Sequence, residues 1–114
     1  MSSYKQAQES ILGAILVDSK NVMPLVADKL TAENFINPEC ERVFAACLSL
    51  FQEQKHIDVI TVLDRLRDES YQAYLVQLVE SLPSVRGLSE YIRIVSEESR
   101  RANAVSRLGV ALTR

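Results

Sequence analysis

Asn37-Pro38-Glu39 and the run behind it constrain this chain more than any other stretch. Asn caps helices well, Pro suits the first helical position, and Glu39 and Glu41 favour the positive end of a helix dipole. Val43, Phe44, Cys47, Leu48 and Phe51 then recur at the three- and four-residue spacing that buries one helical face. Lys55 and His56 follow, where cations suit a helix C-terminus. Asp58 is the candidate cap of a further helix, with Ile57 and Val62 at the two positions of a hydrophobic staple. Val59 to Val62 is β-branched and reads alternatively as a strand. Leu63 and Leu66 nevertheless continue the helical spacing without a turn signal, which favours helix. The expected core therefore includes Phe44, Leu48, Phe51 and Leu63.

The rest of the chain reads the same way. Residues 1–5 are expected to be loose. Gln6 to Val17 forms a first helix with Ile11, Leu12, Ile15 and Leu16 inward, and Gly13 within it is expected to admit a close neighbour. The second helix carries Val22, Leu25, Val26 and Leu30. A start near Asn21 would place Pro24 in the first turn, where proline is tolerated. Thr31 to Asn34 is a short capped turn and Phe35 a core anchor. A fifth helix runs from Tyr71 to Leu82, presenting Tyr74, Leu75, Leu78 and Val79, and Pro83 stops it. The last helix starts near Gly87 or Leu88 with Leu88, Tyr91, Ile92 and Val95 as its stripe, which Ala102, Val105, Leu108 and Leu112 extend. The expected fold class is all-α: a compact bundle of about six helices, with a helical head over 6–87 and a long C-terminal helix over 88–114.

With 114 residues, the chain has enough material for one small core. Its charge is unevenly spread. Residues 1–83 carry seven Lys/Arg against twelve Asp/Glu, while residues 84–114 carry six Arg against three Glu. The basic arm reads either as a solvated helix face or as a contact surface for an acidic partner or nucleic acid. Cys40 and Cys47 lie seven apart on one helix, about 10 Å, which is too far for a disulfide. They read as buried thiols of a reducing cytoplasm. A zinc site needs more ligands than one His supplies. No apolar run approaches a membrane span and no signal peptide is evident. GxxxxGK[ST] and GxGxxG are both absent, so there is no phosphate-cradling loop. His56 beside Asp58 reads as a helix-end pair rather than a catalytic one. Residues alone lead as far as a helical interaction module without catalytic or cofactor-binding residues.

The order of motifs leads further. Ser10-Ile11-Leu12-Gly13-Ala14-Ile15-Leu16 precedes Asn34-Phe35. Then come Phe44 with Leu48, Ile57-Asp58 with Thr61-Val62, Ala73-Tyr74-Leu75, Leu82-Pro83-Ser84, and Tyr91 with Arg93-Ile94-Val95. From Gln6 to about Glu98 the chain resembles the N-terminal domain of DnaB-family replicative DNA helicases. The resemblance implies a six-helix head followed by a helical hairpin, of which the long last helix is the first half. It also implies a collar of dimers forming a hexamer, docking of primase and an influence on helicase loading. ATP and Mg chemistry would belong to a C-terminal ATPase domain that this chain lacks, and the end at Arg114 suggests a fragment of a longer, cytoplasmic protein. Little direct nucleic-acid binding is expected.

Candidate partner or self-association residues are Tyr74, Arg101, Val105, Arg107, Leu108 and Leu112. Several departures stand out: Gln6-Ala7-Gln8-Glu9 replaces Glu-Ala-Glu-Gln, Pro24 interrupts a helix, a Gly-Gly before Ala73 is missing, and Arg86-Gly87 replaces Ala-Asn. Partner identity could differ accordingly, as in a phage or plasmid helicase. Two other readings are the helicase-binding domain of a bacterial primase and a small helical DNA-binding regulator. A match beginning within ten residues of Met1 favours the helicase, and the lack of a recognition helix disfavours the regulator.

Overall fold

The structure, a computed structural model, describes residues 3–81 and 86–112, with side chains described as far as Ala102. The expected stop at Pro83, and the side chains of Val105, Arg107, Leu108, Gly109 and Leu112, lie outside the described residues. Six helices follow in order: α1 (Ser3–Val17), α2 (Ser19–Lys29), α3 (Pro38–Gln52), α4 (Val59–Leu66), α5 (Gln72–Glu80) and α6 (Leu88–Leu112). Single 3-10 turns at Ala32–Asn34 and Glu69–Tyr71 precede α3 and α5. No strand occurs among the described residues, so the all-α expectation holds.

The centre of the molecule is α1. Every residue from Ile11 to Leu16 is buried, as are Ala7 and Gln8. A helical stretch apolar on all sides, as Ile11 to Leu16 is, must be enclosed on all sides, and α2, α3, α5 and α6 pack around α1. It begins at Ser3, not at Gln6, because a tertiary contact holds its first turn. The Tyr4 hydroxyl donates to the Asn34 carbonyl at 2.6 Å, and its ring packs on the core.

The expected late start of α2 is wrong. The helix opens at Ser19 with Pro24 inside it. Proline there forfeits the hydrogen bond to the carbonyl four residues back and usually kinks or breaks a helix. Pro24 is on the exposed side, where water can take the freed Lys20 carbonyl, while Val22, Met23 and Val26 on the other side are buried. Core packing outweighs the local penalty. Leu25, expected inward, is 57% exposed.

Capping in α3 is as expected. Asn37 Oδ1 accepts from the backbone N–H of Glu39 at 3.1 Å and of Cys40 at 3.3 Å. The buried Gln8 side chain accepts from the Asn37 N–H at 3.3 Å and so ties α1 to this cap. Phe35 and Phe44 are fully buried and stack with centroids 4.4 Å apart. Cys40, Val43, Ala46, Cys47 and Leu50 complete the buried face. Leu48, Phe51 and Leu63 are half-buried rather than core, because α4 has eight residues, about 12 Å of helix, and covers only part of that flank.

No lysine or histidine side chain terminates α3. The Gln54 N–H bonds the Phe51 carbonyl and the Lys55 N–H bonds the Leu50 carbonyl, with Gln54 left-handed at φ 59°. This is a Schellman motif with glutamine at the position glycine usually takes. Asp58 then opens α4 with a capping box. Its side chain accepts from the Thr61 N–H and Thr61 Oγ1 accepts from the Asp58 N–H, both at 2.9 Å. Ile57 and Val62 are both buried, as a staple requires. Arg65 clamps α4 to α3, donating to Glu53 Oε1 at 3.0 Å and to Ser49 at 2.8 Å. Arg65, together with Lys55, lowers the Glu53 carboxyl to about 2.

Phe44→Ala should lower stability by about 3–5 kcal/mol, and Phe51→Ala clearly less, as read from urea unfolding. Asp58→Ala should cost about 1 kcal/mol at neutral pH. The backbone N–H of Thr61 is the main group holding the Asp58 carboxyl below its usual range. The cap's contribution is therefore present above the ordinary carboxylate pKa and is lost as pH falls through the lowered one. The deficit of the alanine variant should shrink as unfolding is repeated at decreasing pH.

Candidate interaction surfaces

The sequence expectation places the candidate residues in two regions, α5 and the distal part of α6. The structure keeps them apart. Tyr74 faces a polar groove of about 620 Å³ formed by α1, α3, the 69–71 turn and α5, with no α6 residue in its lining. The Tyr74 hydroxyl donates to Glu9 Oε2 at 2.8 Å and meets Cys40 Sγ at 3.2 Å. Burial, then Cys40 and Glu9, push its ionisation far above the usual range. Arg42 lies over the Tyr71 ring, 5.0 Å from its centroid, and pairs with Asp68 at 3.6 Å. Glu9, Arg42 and Tyr71 were not singled out from the sequence. The available signal was the Tyr71/Tyr74 spacing on one helical face.

Burial dominates the thiols. Cys40 is pushed up to about 11 and Cys47 to about 12. Neither offers a thiolate at neutral pH, so the Glu9–Tyr74–Cys40 chain is a structural tie between α1, α5 and α3. His56 pairs with Asp58 at 3.1 Å on the surface, as a helix-end pair. Among the described residues no group of three or more His, Cys, Asp or Glu is placed to hold a metal ion, and no helix is long and apolar enough to cross a membrane.

On α6, Leu88 and Val95 are buried as expected, and docking continues one turn further through a polar contact. Ser99 is 1% exposed. Its Oγ accepts from Asn34 Nδ2 at 2.7 Å and donates to the Ser96 carbonyl at 3.0 Å. The Asn34 Oδ1 in turn accepts from the Thr31 N–H at 2.8 Å. One point thus joins α1, through Tyr4, the 32–34 turn and α6. Two arginines of the arm are answered on their own helix: Arg93 by Glu90 at 2.8 Å and Glu97 at 2.9 Å, and Arg101 by Glu98 at 3.1 Å. From Glu90 to Arg101 the outer face of α6 therefore mixes both signs of charge. At its start, a Cβ on Gly87 would fall 2.7 Å from the Tyr91 ring, so the residue that weakens the expected cap lets Tyr91 pack over the turn.

This architecture has known counterparts. Residues 2–97 match the family described as DnaB-like helicase N terminal domain. The chain belongs to that family. The match runs from α1 into α6 and includes every helix of the head. It decides for the helicase over the primase domain and the DNA-binding regulator. The replicative DNA helicase DnaB of Leifsonia xyli is 33% identical over 99 residues, covering 82% of this chain and 21% of that protein. That of Rhodothermus marinus is 29% identical over 99 residues, again 82% of this chain but 10% of that protein. The crystal structure of the N-terminal domain of DnaB helicase from Mycobacterium tuberculosis superposes with a TM-score of 0.83 at 25% identity, covering 94% of this chain and 81% of that one. The chain thus spans between a tenth and about a quarter of the length of such full-length relatives.

Both thiols should resist iodoacetamide in the folded protein at pH 8 and react when it is unfolded in urea. Mass spectrometry before and after unfolding checks this, and rapid native labelling of Cys40 would contradict the inert reading.

Proposed function

We propose that this chain is a non-catalytic collar domain of a replicative DNA helicase, serving assembly of a hexamer from dimers and docking of primase or a loader. On this reading ATP, Mg and DNA unwinding belong to a separate ATPase domain of a cytoplasmic parent, and this domain makes little direct contact with nucleic acid. The support for the last point is an acidic body and the pairing of two arm arginines, Arg93 and Arg101, within α6.

One observation carries the assembly reading. Helix α6 has 25 residues without a break, and Ser99 is its last buried described residue. About 20 Å of helix continue beyond that point. The sequence stripe there, with Ala102, Val105, Leu108 and Leu112, is apolar. A second copy covers it on this reading, with Arg101 and Arg107 at the rim. The polar groove around Tyr74 is separate from the arm and supplies a docking surface for a different protein. Its tyrosines and Arg42 are the residue types that dominate binding energy at interfaces.

Sedimentation across a hundredfold concentration range tests the arm. The wild-type chain should gain mass with concentration, and Val105→Asp/Leu108→Asp should move it toward the monomer. A variant indistinguishable from wild type would overturn the arm as the assembly surface.

A further inference from the structure

A further groove of the head is set apart by its charge. It holds about 540 Å³ between α2 and α6. Its floor is aliphatic, formed by Leu25, Leu88 and Ile92, and Leu25 stands 57% exposed. Lys29, Arg86 and Arg93 rim it against one carboxylate, Asp28. Arg93 is held along α6 by Glu90 and Glu97. Lys29 lies 3.6 Å from Asp28 with both side chains exposed, a kind of pair that holds its partners weakly. Arg86 is exposed and has no ion pair among the described residues.

The other hollows of the head have the opposite sign. The Tyr74 groove sets Lys5 and Arg42 against Glu9, Glu39 and Asp68, and no aliphatic side chain lines it. The hollow on α5 is lined by Glu69 and Glu80 and that between α1 and α6 by Glu9, neither with a cation. An acidic ligand is repelled from those three surfaces and drawn to the α2–α6 groove. The floor then favours a peptide over a nucleic acid. Single-stranded bases bind by stacking on aromatic rings, and no aromatic residue lines this groove. Leu25 and Ile92 suit leucine-like side chains instead. Along α6 the lining runs from Leu88 to Ser96, about 12 Å, which matches about two turns of a helix laid beside it.

We propose that the groove docks a short acidic amphipathic helix of another protein, with aliphatic side chains one turn apart on Leu25 and Ile92 and carboxylates beside Arg86 and Lys29. The surface shares no residue with the Tyr74 groove or the distal arm stripe. Two turns of helix bury far less than a standard interface, so the contact is weak alone and adds to a partner held elsewhere as well.

Fluorescence anisotropy with a designed probe tests it. The probe is a dye-labelled, end-capped peptide of about twelve residues, near the shortest length at which a helix forms alone. It carries leucines on one face and glutamates on the other, and a matched peptide has lysine for each glutamate. The full chain should bind the glutamate peptide at least about tenfold more tightly than the lysine peptide. Arg86→Glu should remove that preference, and Leu25→Ser should weaken both peptides. Both positions are exposed, and a thermal melt checks that each variant folds. Arg42→Glu, in the Tyr74 groove, and Val105→Asp/Leu108→Asp, on the arm, should leave binding unchanged, so failure here is distinguishable from failure of the assembly reading. Equal affinity for the two peptides, no binding at millimolar chain, or loss through the Arg42 or arm variants would overturn the proposal. So would displacement of the probe by a single-stranded oligonucleotide, which makes nucleic acid the occupant, or by the chain's own self-association, which makes it a second copy.

Discussion

The fold depends on the complete burial of the stretch Ile11 to Leu16 in α1. Six consecutive residues there leave no face of that stretch for water, so α2, α3, α5 and α6 have to be its walls. Each wall helix then needs only one apolar stripe, which is why α2 tolerates Pro24 and α6 tolerates a charged outer face. Burial alone does not fix orientation, because apolar contacts have no direction. The Gln8 side chain supplies one, accepting from the Asn37 N–H. That bond sets the start of α3 against α1, and from there the stacking of Phe44 on Phe35 follows.

A second directional tie sets the arm. Ser99, Asn34 and Tyr4 form a chain of hydrogen bonds between α6, the 32–34 turn and α1. No described buried side-chain nitrogen or oxygen lacks a partner, so this network carries no penalty for unmet polar groups. It also fixes the register of α6. Rotating that helix by one residue would withdraw Ser99 from Asn34 and bring Glu98 or Arg100 toward the core, at the cost of burying a charge. The head therefore determines where the arm points, and any partner of the arm inherits that direction.

Most of this was legible in the sequence, because the signals were local. Asn37-Pro38 and Ile57-Asp58 named their caps through side-chain chemistry that acts within three residues. The fold class and the burial of Phe35 and Phe44 followed from spacing. Long-range effects were not legible. The start of α1 at Ser3 depends on Asn34, thirty residues away. The tolerance of Pro24 depends on which side of α2 the core leaves open. The half-burial of Leu48, Phe51 and Leu63 depends on the length of a different helix. The left-handed Gln54 gave no signal, since glutamine is not the residue that usually marks such a cap. Of the candidate site residues, Tyr74 was named from its motif, while its partners Glu9 and Cys40 come from two other helices. Arg101 is described only as a surface ion pair, and Val105, Arg107, Leu108 and Leu112 lie beyond the described side chains.

The family match bears on the fold and the surfaces unequally. The motifs that carried the resemblance are mostly caps, staples and core positions: Ile57-Asp58 with Thr61-Val62, Ile11 to Leu16, Asn34-Phe35. Each of them determines backbone geometry, and a chain that keeps them keeps the fold. That is consistent with a TM-score of 0.83 at 25% identity. The surfaces obey no such constraint. Leu25, Arg42, Val76 and Arg86 are exposed or at the rim of a groove, where a substitution usually changes stability by no more than about 0.5 kcal/mol. Such positions are free to vary with the partner while the core stays fixed. Several departures noted in the sequence fall on this freer part: Gln6 is beside a surface groove, Pro24 is on the exposed side of α2, and Arg86 is exposed at the entrance to α6; Gln8, in contrast, is buried and holds the start of α3. The same scaffold can thus change what it docks without changing how it folds.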